Sequence, residues 1–154
     1  MKKGQTKEYK TTLLDEYIEM LIQDKNKDLS QLFRLYCEKS LALENVLLMD
    51  TLVHMKRKST SIPIEALKEI QEQFLAPFST YEVNVPMKVK RSIIDAMDDA
   101  SKKNLQKVNT EILNEIMVET EYNLRSTFMR FQKTNEFMQW EEIYQLQKDQ
   151  SALT

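Results

Sequence analysis

An all-α fold is what this sequence predicts, and three observations predict it. One glycine and three prolines in 154 residues are too few for the many tight turns of a sandwich or barrel. Strand-like alternation is confined to Val83-Asn84-Val85 and a few apolar pairs. Elsewhere apolar residues recur at helical spacing along most of the chain. A chain of this length forms one domain with a real core, so a compact bundle of about seven to nine short helices is expected.

Residues 1–10 read as a flexible polar leader, 11–148 as a single helical domain and 149–154 as a polar tail. Leu13, Leu14, Tyr17, Ile18, Leu21 and Ile22 share one face of a first helix. A second starts at Asp28–Ser30 and carries Leu29, Leu32, Phe33 and Tyr36. The third runs from about Leu43 to Lys56, with Leu43, Val46, Leu47 and Val53 inward. After the polar break Lys58–Ser61, Pro63 suits the first turn of a helix, where its missing N–H costs nothing. That helix buries Ile64, Leu67, Phe74 and either Ile70 or Gln71, and Pro77 with the run Thr80–Val85 ends it. Another begins near Pro86 and buries Val89, Ile93 and Met97, with Asp98–Asn104 as its end and connection. A helix over 105–124 is expected to bury Leu105, Val108, Ile112, Ile116 and Tyr122. A final pair runs from Ser126 to about Asp149 through Phe128, Phe131, Phe137, Trp140 and Tyr144.

Several function classes lose their support at this stage. Net charge is −2 with the signs interspersed, unlike the basic stripe of a nucleic-acid binder. The run His54–Lys58 reads first as a solvated helix end near the negative pole of its dipole; contact with acidic lipid or phosphate would require more basic residues nearby. His54 is the single histidine, although Asp50 lies one turn before it, so a di-metal carboxylate site lacks its ligands. His54 is also the one histidine on which a Ser/His/Asp or Cys/His arrangement could be built, and neither is expected from it. Gly4 alone cannot build a phosphate loop. Glu65, Glu69 and Glu72 read as a solvated face, Cys37 as a packed thiol, and the nine methionines mostly as core filler. No metal, cofactor or catalytic residue is expected. A single cysteine suits a reducing compartment, no apolar run reaches the roughly 20 residues that span a bilayer, and a cytoplasmic location is expected.

The stretch Thr80–Ile94 interrupts this pattern without glycine. Val-Asn-Val-Pro favours extended backbone, because the residue before a proline is pushed from the helical region. Two readings of Asn84 stand: an N-cap whose side chain bonds a first-turn amide, or a side chain shown to a partner.

Three segments in order resemble the RGS domain, the regulator of G-protein signalling family. Leu32–Asp50, LFRLYCEKSLALENVLLMD, is similar to the family's apolar-aromatic helix, Ser-rich loop and Glu-Asn pair, here Glu44 and Asn45. Leu48 and Met49 stand where Phe-Trp is usual. Glu82-Val83-Asn84-Val85 matches the Glu-Val/Ile-Asn-Leu/Ile signature, followed by Lys88, Lys90 and Arg91. Ile70 and Phe74 in IQEQFLAPFS fit the helix ahead of it. FMRFQKTNEF, Phe128–Phe137, resembles the third signature. The resemblance spans roughly residues 29–145.

The resemblance implies about nine helices in two lobes, one of them including an antiparallel four-helix bundle. It further implies a partner, the α subunit of a heterotrimeric G protein, whose GTP hydrolysis such domains accelerate without a catalytic side chain of their own. The implied contacts are Glu44, Asn45, Glu82, Asn84, Ser126, Thr127 and Arg130. The family usually has an acidic residue four before its arginine; with Arg130 as the arginine, Ser126 takes that place and brings no charge. Sliding the register pairs Glu121 with Arg125 instead, at the loss of the aromatic match. A monomer is expected, recruited to the inner face of the plasma membrane only through its partner. An alternative stands beside it, an RGS-like scaffold without GTPase activation, and in either case the chain can be one domain of a larger signalling protein.

Overall fold

Helix-start chemistry decides where the elements begin in the computed structural model, which describes residues 13–153; the expected leader, 1–10, lies outside the described residues. Helix α1 spans Leu13–Ile22, with Asp15 and Glu16 in its first turn, where the positive end of the dipole favours them. Helix α2 spans Lys27–Lys39. Its start is fixed by Asn26, whose Oδ1 accepts the Leu29 N–H at 3.0 Å; the cap precedes the expected Asp28–Ser30 start because asparagine is among the best capping residues. Helix α3, Glu44–Lys58, has Glu44 in its first turn and Lys56, Arg57 and Lys58 in its last. That places the basic run at the negative helix end, and His54 is exposed there.

Where α3 faces inward differs from expectation. Val46, Leu48, Met49 and Leu52 are buried, while Leu43, Leu47 and Val53 are only half-buried. Leu48 and Met49 are thus core residues, so their departure from Phe-Trp alters internal packing and not a contact surface.

The fold is all-α as expected, with one short two-stranded ribbon beside the helices. Strands β1, Ser61–Pro63, and β2, Lys107–Asn109, pair antiparallel with Ile62 opposite Val108. The Thr110 N–H donates to the Thr60 carbonyl at 2.9 Å and the Ile64 N–H to that of Gln106 at 3.0 Å. Pro63 is extended and sits just ahead of α4, Ile64–Ile70, not inside its first turn. Helix α4 runs on as a π turn over Gln71–Leu75, and the inward residue of the undecided pair is Ile70. Helix α5 follows at Met87–Lys102.

The helix expected over 105–124 is also corrected. Its first part instead holds a connection at 105–106, then β2 and a 3₁₀ turn, Thr110–Leu113, capped by Asn109 through the Glu111 N–H. Helix α6 starts only at Asn114 and continues unbroken to Phe131, so no helix begins at Ser126. Leu105 and Tyr122, expected inside, are exposed. Along α6 the buried residues are Ile116, Thr120, Leu124, Thr127, Phe128 and Phe131, a stripe at three- and four-residue steps that carries the helix past Ser126. Helix α7, Asn135–Ala152, starts at Thr134, whose hydroxyl accepts the Phe137 N–H. Its last turns are exposed and polar through Ser151.

The chain divides into two compact units, one of residues up to Lys39 together with those from Arg125 onward, the other Ser40–Leu124. In the first, Tyr17 has ring neighbours in Phe128, Phe137, Trp140 and Tyr144, and Phe33 meets Phe128 and Phe131. The Tyr17 hydroxyl donates to Glu141 Oε2 at 2.7 Å; burial, with that carboxylate, pushes the phenol well above its ordinary pKa. In the second unit, four helical stretches close on an aliphatic core that includes Leu52, Leu67, Ile70, Ile93, Leu113 and Ile116. Among the described residues no helix is long and apolar enough to cross a membrane, and no group of His, Cys, Asp and Glu converges as a metal site would require.

Candidate functional site

The loop from Ala76 to Pro86 is fastened to the π turn before it. Backbone N–H groups of Ala76, Tyr81 and Val83 donate to the carbonyls of Gln71, Gln73 and Phe74 at 2.7, 3.1 and 2.9 Å. Val83 and Val85 are buried in the aliphatic core. Burial alternates along Val83-Asn84-Val85, with the two valines inward and Asn84 outward. It is exposed, and among the described residues its carboxamide makes no hydrogen bond. The capping reading is corrected: α5 starts at Met87, with Pro86 in the cap position and no side-chain cap bond. Proline supplies that start by itself, because its φ is preset for a helix and it lacks an N–H to satisfy.

Asn45 and Asn84 are brought together by a residue the motifs passed over, Asn123 of α6. Its Nδ2 donates to the Asn84 carbonyl at 2.8 Å and to Asn45 Oδ1 at 3.2 Å. Asn45 itself is only 7% exposed, and Glu44 is half-buried beside it in the first turn of α3. One sequence signal pointed to Asn123: a poor helix former within a helix, flanked by the buried Thr120 and Leu124.

Glu82 uses its carboxylate inside the loop. Oε2 accepts the Phe78 N–H at 3.1 Å, and Oε1 lies 3.7 Å from Lys90 Nζ on α5. Phe78 has a left-handed φ of 61° and a side chain 99% exposed, an uncommon pairing for a bulky residue. The Glu82 bond holds the backbone at that point, and Tyr81 packs against Phe74.

Ser126, Thr127 and Arg130 belong to the first unit and are described there. Ser126 and Arg130 lie exposed on α6, whereas Thr127 is buried. Arg130 Nη2 donates to Thr127 Oγ1 at 3.2 Å, so a neutral hydroxyl one turn away steadies the guanidinium. In the alternative register Arg125 forms an ion pair with Asp15. Chemically, the candidate residues offer neutral amides, hydroxyls, one cation and the carboxylates of Glu44 and Glu82 for hydrogen bonding. They offer no nucleophile–base pair.

Neither a search of curated proteins nor one of solved structures finds a match to this chain. The model of one family does match, the regulator of G protein signaling domain, over residues 17–140, and with most of its length covered the chain belongs to the RGS domain family.

Proposed function

We propose that this chain is a GTPase-activating domain that binds the α subunit of a heterotrimeric G protein and speeds its GTP hydrolysis. The observation that carries this is Asn84: an exposed carboxamide on a loop tied down on both sides by buried valines. A carboxamide donates and accepts at once and stays neutral. It suits a contact with switch segments that already hold a catalytic arginine and a water-orienting glutamine. Acceleration then comes from binding the transition-state arrangement more tightly than the ground state, and no residue of this chain reacts.

Within the proposal Glu44 and Asn84 face the α subunit, and Asn45 supports them from its buried position. Glu82 shapes the loop. Ser126, Thr127 and Arg130 form a separate contact region; the Thr127 bond to Arg130 and the engagement of Arg125 by Asp15 favour Arg130 as the contact arginine. The domain acts as a cytoplasmic monomer of residues 11–148 that meets the membrane only through its partner.

Single-turnover GTP hydrolysis by α subunits, with and without the domain, is the test. Acceleration is expected, along with stronger binding to the GDP–aluminium fluoride form than to a GTP-like form. No acceleration with any α subunit overturns the proposal. A second reading, a scaffold without GTPase activation, is favoured by Ser126, which brings no charge where the family usually has an acid. A scaffold binds every nucleotide state alike, and a pull-down across those states separates the two.

A further inference from the structure

We infer that Asn123 is a positioning residue for Asn84, an inference that rests on the GTPase-activating reading above. Pro86 has no N–H, so the chain just after Asn84 has one backbone donor fewer with which to fix itself. Asn123 supplies a tether from outside the loop, its amide nitrogen 2.8 Å from the Asn84 carbonyl. Both hydrogens of that nitrogen are engaged, the second by Asn45 Oδ1 at 3.2 Å. The two bonds fix each other: a carboxamide held by Asn45 can turn only about its remaining freedom, and its other hydrogen stays on the Asn84 carbonyl.

The residue type follows from the acceptors. A backbone carbonyl accepts and cannot donate, so the group facing Asn84 must carry hydrogens. Aspartate at 123 would set a carboxylate against that carbonyl, and leucine would leave it unpaired. Val83 is fixed before Asn84 by the Phe74 carbonyl, and Asn123 fixes the carbonyl that follows. The exposed carboxamide therefore leaves a peptide unit held from both ends. Ordering paid for in advance lowers what binding must spend.

A double-mutant cycle on affinity for an α subunit loaded with GDP–aluminium fluoride tests this. Loss of one neutral hydrogen bond predicts that Asn123→Ala weakens binding up to ~tenfold, with Asn123→Ser, which keeps one donor, in between. In the Asn84→Ala background there is no carboxamide left to position, and Asn123→Ala is expected to change affinity by less than ~twofold. Equal losses in both backgrounds, or none in either, overturn the inference, because a merely structural role does not depend on the side chain at 84. Should the alanine variant fail to melt cooperatively, the same cycle with Asn123→Ser decides. If the unsubstituted chain binds no α subunit, the function and this inference fall together; if it binds and the cycle is additive, the inference falls alone.

Discussion

Rings fill the core of the unit built from α1, α2, the end of α6 and α7, whereas that of residues 40–124 is mostly branched aliphatic, with Phe74 among its members. In the first, side chains meet edge to face, as Phe137 does with Tyr17 and Phe128, an arrangement with its own preferred geometry. The second is held by non-directional burial. That difference bears on where the candidate contacts sit. An aliphatic core accepts a short plug from a loop, and Val83 and Val85 are such plugs, so one extended stretch both anchors itself and turns Asn84 outward.

The comparison can be broken or sharpened by substitution. The largest effect is expected for Phe128→Ala, which removes a fully buried ring touching Tyr17, Phe33, Phe131 and Phe137. It should cost about 4 kcal/mol in denaturant unfolding and flatten the near-UV dichroism. Ile93→Ala in the aliphatic core is expected to cost about 3 kcal/mol and to leave that dichroism intact, since no ring pair includes Ile93. Equal spectral loss from both would erase the distinction drawn between the cores.

A smaller effect, about 1 kcal/mol, is expected of Tyr17→Phe, which deletes the hydrogen bond to Glu141. Its pH dependence sharpens the test. The Tyr17 pKa is raised in the folded state, so the folded chain binds a proton that the unfolded chain releases. Stability is then fully present below the unfolded value, about 10, and falls as pH rises above it. Midpoints measured at neutral and strongly alkaline pH should diverge less in Tyr17→Phe than in the unsubstituted chain.

The smallest expected change is a gain. Phe78 holds a left-handed backbone with its side chain in water, a conformation glycine adopts without steric cost. Phe78→Gly should raise stability by about 0.5 kcal/mol, the relief of left-handed strain offset by the greater freedom of unfolded glycine. A loss beyond about 1 kcal/mol would mean that the ring contributes to the aliphatic unit after all.

Much of the candidate site was legible as residue types at a spacing. Glu44-Asn45 and Glu82–Val85 stood out as motifs, and the proline after Val85 marked extended backbone. Their roles were less legible. Asn45 is buried and Glu82 bonds within its own loop, and a motif gives residue identities without saying which way a carboxylate turns. Asn123 matched no signature, and its low helix propensity is the one trace it leaves in the sequence. Arg130 gains its hydrogen bond from Thr127 and not from Ser126; residues three and four earlier on a helix both neighbour it, so spacing alone did not choose between them.

By itself the sequence determined the all-α class and most of the helices, because helical period and proline geometry act over a few neighbouring residues. It also marked Val-Asn-Val-Pro as a break between helices, and residues 82–86 are indeed non-helical. Only the tertiary structure decided that Ser61–Pro63 and Lys107–Asn109 pair and that one amide reaches both Asn45 and Asn84. Each of these depends on residues far apart in the chain meeting, and it is the packing of the core that brings them together.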